Sequence, residues 1–428
     1  MPSPRRVIRP LADFLRQEAA AGVLLVAAAA VALVWVNGPF GESYEELWST
    51  TIQLPGTALD LDLRHWINDA LMAFFFLVAG MEIKREVVEG ELRDPRQAAL
   101  PIIGAVGGMI VPALIYAAFN ADTATSKGWG IPMATDIAIV TGVVALLSRR
   151  VPSWIGLFLL ALAIVDDIGA IIVIAVFYSE GVSLGWLAAA IATVVVAAVA
   201  RRFLPWVPVL IVGGVACWWF LFQAEVHPTL AGVAFGLLTP LDPRTKGGYV
   251  DVSANEPAGE VSVLEWLEHL VTPWTAFLIV PLFALANAGV RVPLDTIGDA
   301  LSSRAAWGVV LGLVVGKLVG VAAFTLVAVR IGLGRLPPAI RPYDVIAGSA
   351  LAGIGFTVSL FVTELAFGDG DLGRDARLGV LVGSLVAALV GTTLVSLGRR
   401  RPAPAGAPLG SEPWLSTGAS SLTGTPPG

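Results

Sequence analysis

Two adjacent aspartates, Asp166 and Asp167, lie near the middle of an uninterrupted apolar run from Trp154 to Tyr178. A run of this length can span a bilayer, where an ionised aspartate at the helix centre costs about 2.5 to 3.5 kcal/mol on insertion scales. A carboxylate kept at such a cost is suited to binding a proton or a small cation. We therefore interpret the pair as the centre of a functional site.

Two further ionisable groups, Asp136 and Lys317, are predicted at a similar depth. Lys317 has no charged neighbour on its own helix, so it needs a partner from another helix, and the buried aspartates are the candidates. Neighbouring helical residues point about 100° apart, so Asp166 and Asp167 should have different roles. An aspartate paired with Lys317 can stay ionised. The other, desolvated beside a like charge, can hold either a proton or a small cation.

The composition predicts that these groups sit in a polytopic membrane protein. Hydrophobic residues make up 56% of the 428 residues and charged residues 14%, which makes a water-soluble domain of this size improbable. The single Cys217 excludes a disulfide framework within one chain and any cysteine metal cluster. We predict twelve spans, at 17–37, 65–83, 98–118, 128–148, 153–178, 183–200, 204–222, 226–239, 263–289, 305–329, 343–367 and 377–397.

The charge distribution predicts the orientation of these spans. Most of the 27 Lys and Arg residues fall in loops on the same side as the N-terminus, so the positive-inside rule predicts that both termini are cytoplasmic. Arg5 and Arg6 could belong to a secretory signal, but the following run is long and lacks an obvious cleavage site. We expect one transporter domain, 1–400, and a disordered cytoplasmic tail, 401–428, rich in Pro, Gly, Ser and Ala.

The loop between the first two spans contains two short strand-like pieces within 51–61 that flank Pro55 and Gly56. This pattern is typical of a β-hairpin outside the membrane. An irregular polar loop is the alternative. The longest inner loop is predicted at 240–262.

Two predicted spans are interrupted. In the fourth, a proline precedes Thr135 and Asp136; because proline removes a backbone donor, carbonyls there can be left free for a ligand. In the eleventh, Gly353 and Gly355 precede Thr357. Interrupted helices in corresponding positions of two halves are typical of a transporter site near the bilayer midplane.

Five blocks carry a family resemblance: 74–86 (FFFLVAGMEIKRE), 134–138 (ATDIA), 166–171 (DDIGAI), 281–289 (PLFALANAG) and 353–359 (GIGFTVS). In this order, and over roughly residues 10–398, they resemble the NhaA-type Na+/H+ antiporters.

The resemblance implies an all-α polytopic membrane protein with inverted repeats, two broken, crossing helices (spans four and eleven) and an extramembrane β-hairpin between spans one and two. It implies that Asp167 is the principal Na+ and proton carboxylate, with Asp166 alongside it and paired in one state with Lys317. Asp136 and Thr135 would line the site and balance the broken helices. Na+ would bind at Asp166, Asp167 and Thr135.

The resemblance also implies a location in a prokaryotic cytoplasmic (inner) membrane, a pH response and a dimer. The pH-response residues would be Glu82, Arg85, Glu86, His227, Glu268 and His269. From the residues alone, a solvated charged rim at Glu82 to Glu86 and at Glu268 is the alternative. The 51–61 hairpin would join two copies into a homodimer, and membrane lipids are the other expected partners. We expect no nucleic-acid partner and no cofactor besides the transported Na+ or Li+ and H+.

The predicted function is therefore a secondary antiporter, not an enzyme, that exchanges Na+ or Li+ for protons and is driven by the proton gradient. Its activity should rise with cytoplasmic pH, because loading the cation needs deprotonated aspartates. A cation-coupled solute symporter is one alternative. An intramembrane aspartyl protease is another, since Tyr343-Asp344 and Gly368-Asp369-Gly370-Asp371 imitate its motifs, although they fall at opposite ends of one predicted helix.

Overall fold

The structure is a computed structural model, and it describes residues 5–53, 60–147, 151–179, 181–241, 249–250, 260–291 and 303–398. The predicted tail at 401–428 and most of the predicted inner loop lie outside these ranges. The turn of the predicted hairpin, 54–59, does so as well.

Nine helical segments of the described residues are long and apolar enough to cross a membrane, so the chain is a multi-pass membrane protein. In chain order the helices are α1 (Arg5–Asn37), α2 (Gly41–Trp48), α3 (Leu63–Val88), α4 (Pro95–Asn120), α5 (Ile137–Leu146), α6 (Ser153–Phe177), α7 (Leu184–Ala200), α8 (Trp206–Gln223), α9 (Leu230–Leu238), α10 (Val263–Asn287), α11 (Arg304–Arg330), α12 (Pro342–Leu351), α13 (Phe356–Phe367) and α14 (Asp371–Gly398). The short α2 follows α1 outside the predicted spans.

The remaining predicted spans are represented by shorter helices, so the count of twelve stays a prediction. Helices α12 and α13 meet at a bend of 50° and together amount to a tenth span. Helix α7 has 17 residues and α9 has 9. At 1.5 Å per residue, α9 is about 14 Å long and cannot cross a 30 Å hydrocarbon core alone.

The brevity of α9 has a local cause. Pro228 and Pro240 flank it, and its last carbonyl groups are bound by cations instead of continuing the helix. Arg201 donates to the Leu238 carbonyl at 2.6 Å, and Lys84 donates to the Thr239 carbonyl at 2.5 Å. Positive side chains at a helix C-terminus are electrostatically favourable.

Both predicted interruptions are present. The fourth predicted span consists of a 3-10 helix, Ser126–Met133, an extended stretch and then α5. The eleventh breaks between α12 and α13. Three helices also contain a π-helical segment, at Trp66–Leu71, Thr275–Ile279 and Gly312–Gly316.

The predicted hairpin strands are confirmed. Strand β1 (Thr51–Gln53) pairs antiparallel with β2 (Asp60–Asp62), with Ile52 opposite Leu61. A second antiparallel pair, β3 (Tyr249–Val250) and β4 (Glu260–Val261), was not predicted.

The described interior contains two large clusters of buried apolar side chains and a small one, and α3 contributes to both large clusters. Met72 and Phe76 belong to the larger cluster, which includes α1, α4 to α6 and α10 to α14. Leu77 and Met81 belong to the smaller cluster, formed with α7, α8, α9 and the start of α10. Helix α3 therefore runs along the boundary between the two cores.

Helices α4 and α11 pack closely against each other at glycine residues. Gly107 on α4 faces Gly320 on α11, and a Cβ on Gly320 would lie 2.2 Å from the Gly107 carbonyl oxygen. Backbones this close require glycine. The contact holds α11, and with it Lys317, against α4.

Candidate functional site

The two interruptions lie side by side and hydrogen-bond each other. The Asp136 amide donates to the Ile354 carbonyl at 2.7 Å, and the Thr135 hydroxyl lies 2.8 Å from the Ala352 carbonyl. The Ser359 hydroxyl donates to the Ile131 carbonyl at 2.7 Å. Because a break frees carbonyl groups that have no water to bind inside a membrane, each break satisfies part of the other.

Asp136 caps the helices that leave both breaks. Its Oδ1 accepts from the Ile139 amide at 3.1 Å, at the start of α5. Its Oδ2 accepts from the Thr357 amide at 2.9 Å and the Thr357 hydroxyl at 2.5 Å, at the start of α13. A carboxylate is favourable at a helix N-terminus, and this buried one serves two. The sequence identified Thr357 only as part of the second break.

Lys317 pairs with Asp166, as its isolation on its own helix required. The ammonium group donates to Asp166 Oδ2, and both side chains are 0% exposed. The Thr135 hydroxyl lies 2.6 Å from the same oxygen. Since this hydroxyl has one hydrogen, Asp166 and the Ala352 carbonyl compete for it.

Asp167 has a different environment from Asp166. The Oδ1 atoms of both aspartates lack a hydrogen-bond partner among the described residues, and the difference is that Asp166 Oδ2 is bound by Lys317. The Asp167 side chain lines a cavity of about 100 Å³, together with Thr135, Asp136 and Thr357. The two aspartates therefore have different neighbours: Asp166 contacts Lys317, and Asp167 lines the cavity.

The same cavity reaches the charged end of α3. Glu82, Arg85 and Glu86 line it, and the Arg85 guanidinium pairs with Glu268 of α10 at 2.6 Å. Four of the predicted pH-response residues therefore lie in one region, which opens towards Asp167. We call this end of α3 the cavity end.

Neither histidine of that prediction lines the cavity. His269 is exposed on α10. His227 precedes α9, and its Nε2 is 2.8 Å from the Tyr178 carbonyl. The opposite end of α9 is the one that contacts Lys84, next to the cluster. His227 is therefore separated from Glu82 and Arg85 by the length of α9.

The other end of α3, which we call the hairpin end, carries ion pairs that the sequence did not reveal. The Arg64 guanidinium pairs with Asp369, in the loop between α13 and α14. Arg377 of α14 pairs with Asp369 at 2.8 Å and with Glu364 of α13. Burial alone would raise the pKa of Asp369, but Arg64 and Arg377 outweigh it and hold that pKa below its usual value.

These pairs also occupy the acids of the protease-like motifs. Asp369 binds Arg64 and Arg377, whereas Asp344 pairs with Arg341 at 3.4 Å, at the start of α12. The two acids have separate partners at the two ends of a bent helix pair. In the described part of the chain, no group of three or more His, Cys, Asp or Glu side chains could hold a metal ion.

Comparisons with known proteins show which family the chain resembles over most of its length. A family model described as Na+/H+ antiporter 1 matches residues 12–395. The chain is 46% identical over 396 residues to the Na(+)/H(+) antiporter NhaA of Nocardia farcinica, covering 91% of each chain. It is 44% identical over 395 residues to the Na(+)/H(+) antiporter NhaA of Serratia proteamaculans, covering 90% of this chain and 97% of the relative.

Proposed function

Since the chain belongs to the Na+/H+ antiporter 1 family, we propose that Na+ and protons compete for the carboxylate of Asp167. The chain exchanges Na+ for protons across a membrane. One observation carries the proposal for the residue: Asp167 lines a cavity with an unpartnered carboxylate oxygen, beside an aspartate that already has a cationic partner.

Asp166 and Lys317 form the second part of the proposed mechanism. While Lys317 holds Asp166, the site has one carboxylate available, at Asp167. When Lys317 moves away, both carboxylates and the Thr135 hydroxyl become available as oxygen ligands for Na+ or Li+. Because a buried acid and a buried base are costly when unpaired, loss of the Lys317 pair is coupled to arrival of the cation.

Asp136 has a supporting role in this proposal. It compensates the positive ends of α5 and α13 in every state of the cycle and keeps the two breaks together. The free backbone carbonyls of the breaks then stay near the cation path. The helices cross at these breaks, as inverted repeats would require.

The remaining elements of the proposal concern topology and regulation. Twelve spans, with the short α9 among them, place both termini in the cytoplasm of a bacterial cell, and the cavity end of α3 faces that side. The chain acts as a transporter and carries out no covalent chemistry. The pH-responsive entrance to the site is formed by Glu82, Arg85, Glu86 and Glu268. Strands β1 and β2, outside the membrane, join two copies of the chain. Symport and proteolysis have no support from the relatives, which are named antiporters.

Transport by the purified chain in proteoliposomes tests this function. With an imposed proton gradient, addition of Na+ or Li+ should move protons out of the compartment that the cation enters, and K+ should not. Asp167→Asn should abolish this movement. Asp122→Asn, which changes an exposed aspartate, should leave it unchanged. Proton movement that depends on a non-cationic solute instead would favour symport, and Na+/H+ exchange by Asp167→Asn would refute the assignment.

A further inference from the structure

The hairpin end of α3 holds a connected set of four charged side chains: Arg64, Asp369, Arg377 and Glu364. We call this set the hairpin-end network. Its members differ in hydration. The Arg377 side chain is 7% exposed and Glu364 is 9% exposed, whereas Asp369 is 46% exposed. Arg64 is 12% exposed, so water reaches the Arg64–Asp369 contact mainly from the side of Asp369.

The network joins two elements that border the proposed site. Arg64 begins α3, and the other end of α3 carries Glu82 and Arg85 in the wall of the cavity. Asp369 follows α13, and the first turn of α13 carries Thr357 in the same wall. The Arg64–Asp369 pair thus ties two helices together at the end opposite the cavity opening.

Between the network and Asp167, aromatic side chains pack α3, α13 and α10 together, and one acid, Asp69 of α3, lies on the network side of them, near Glu364. Phe76 of α3 contacts Phe361 of α13, with ring centroids 5.3 Å apart, and Phe361 also contacts Phe283 of α10 at 6.1 Å. All three rings are buried. The cavity is therefore open towards the cavity end and closed towards the hairpin end by an aromatic layer with ion pairs behind it.

The loop that carries Asp369 has a permissive backbone, and departure of Asp369 would leave Arg377 paired and Arg64 at the edge of a cleft. Gly368 has φ of 57° and Gly370 follows, so the acid lies between two residues with a permissive backbone. If Asp369 leaves, Arg377 keeps Glu364. Arg64 and Asp369 both line a cleft of about 430 Å³, which gives water access to the separated charges.

We propose that the Arg64–Asp369 pair is a latch that keeps the hairpin end closed while the cavity end is open, and that it opens each time the site turns to the other side. This inference rests on the proposed exchange function. Arg64 and Asp369 act through the position of α3 and α13 and do not touch the ion.

Cysteine labelling of the full chain in proteoliposomes tests the latch. The only cysteine in the sequence, Cys217, is first replaced by serine, and the reporter cysteines are introduced into this Cys217→Ser chain. Thr363→Cys, buried on α13 between the aromatic layer and the network, reports opening at the hairpin end. Thr272→Cys, which lines the cavity, reports the cavity end. A membrane-impermeant maleimide is added to each side in turn.

Loss of the pair should raise labelling at one end and lower it at the other. In Arg64→Gln or Asp369→Asn, the labelling rate of Thr363→Cys should increase about fivefold and that of Thr272→Cys should fall, because a partly exposed ion pair shifts a two-state equilibrium by about this factor. The double variant should give the same shift as either single variant. Arg64→Lys should restore much of the original ratio.

Arg374→Gln is the matched control, since Arg374 lies on the same surface but pairs with Asp371 and Asp375. In Arg374→Gln, both reporter cysteines should be labelled at the same rates as in the chain with the unaltered network. Unchanged labelling in both Arg64→Gln and Asp369→Asn would overturn the latch, as would an equal rise in Arg374→Gln. If one of the two variants does not fold, the other decides. Failure of the exchange function would show separately, as absence of Na+-dependent proton movement in the unaltered chain.

Discussion

The centre of the molecule and the hairpin end both pair basic side chains with acids, but they differ in their access to water. At the centre, Lys317 and Asp166 are 0% exposed. At the hairpin end, Arg64 is 12% exposed and its partner Asp369 is 46% exposed, so one partner of that pair borders water. A dry pair is costly to break because each separated charge stays in a low dielectric, whereas a wet pair separates at little cost.

This difference suggests a division of work along the transport path. The dry pair can open only when something replaces the lost partner, which suits a step coupled to the arrival of a cation. The wet pair can open and close in every cycle without a substitute, which suits a gate. Substitutions at the two places should therefore have very different effects on stability.

The largest loss of stability is expected from Lys317→Ala, which leaves Asp166 buried without a partner. Removing one member of a buried pair costs about 3 to 5 kcal/mol. Thermal unfolding in detergent should therefore show a large fall in melting temperature. The double variant Asp166→Asn/Lys317→Met removes both charges and should recover most of the loss. Equal melting temperatures for the single and double variants would show that the pair is not the source of the effect.

A smaller loss is expected from Thr357→Val, which removes the hydroxyl that donates to Asp136 at 2.5 Å. A hydrogen bond to a charged group contributes about 1.5 to 3 kcal/mol. Thr357→Ser should retain most of this contribution. Thr393→Val is the control, because the exposed Thr393 donates only to a carbonyl of its own helix. Equal falls in melting temperature for Thr357→Val and Thr393→Val would show that the hydrogen bond to Asp136 makes no special contribution to stability.

The smallest effect is expected from Asp369→Asn, with a loss of less than about 1 kcal/mol because the pair is partly hydrated. The pKa of Asp369 is lowered from its usual 3.8. Its contribution is therefore fully present above 3.8 and is lost as the pH falls through the lower folded-state pKa. The difference in melting temperature from the unaltered chain should be constant between about pH 5 and about pH 9 and should shrink in stronger acid. If the difference in melting temperature grew as the pH fell, it would contradict the assignment of a lowered pKa to Asp369.

Much of the fold could be predicted from apolar run length and from residues that break helices. The interruptions near Thr135 and Gly355 and the strands of the hairpin were all predicted, because each depends on local sequence. The length of α9 was overestimated: apolar composition suggested 226–239, but flanking prolines and the cations Lys84 and Arg201 end the helix early.

The site was only partly predictable, for a physical reason. Charge balance required a buried acid for Lys317, but the residues alone did not say which one; only the family resemblance favoured Asp166. The hairpin-end network was missed because Arg64 and Asp369 are 305 residues apart and each is ordinary in its own loop. His227 was predicted to belong with Glu82 in the pH response, but the length of α9 separates the two residues. The type of a residue indicates that it can titrate and does not indicate where in the fold it lies.

The most direct test of the account measures Na+ binding and proton release by the purified chain together. Isothermal titration calorimetry in two buffers of different ionisation enthalpy reports how many protons leave as Na+ binds. If Na+ and protons compete for Asp167, the unaltered chain should release protons on binding Na+, and Asp167→Asn should lose both the binding and the release. Na+ binding with undiminished proton release by Asp167→Asn would contradict the account.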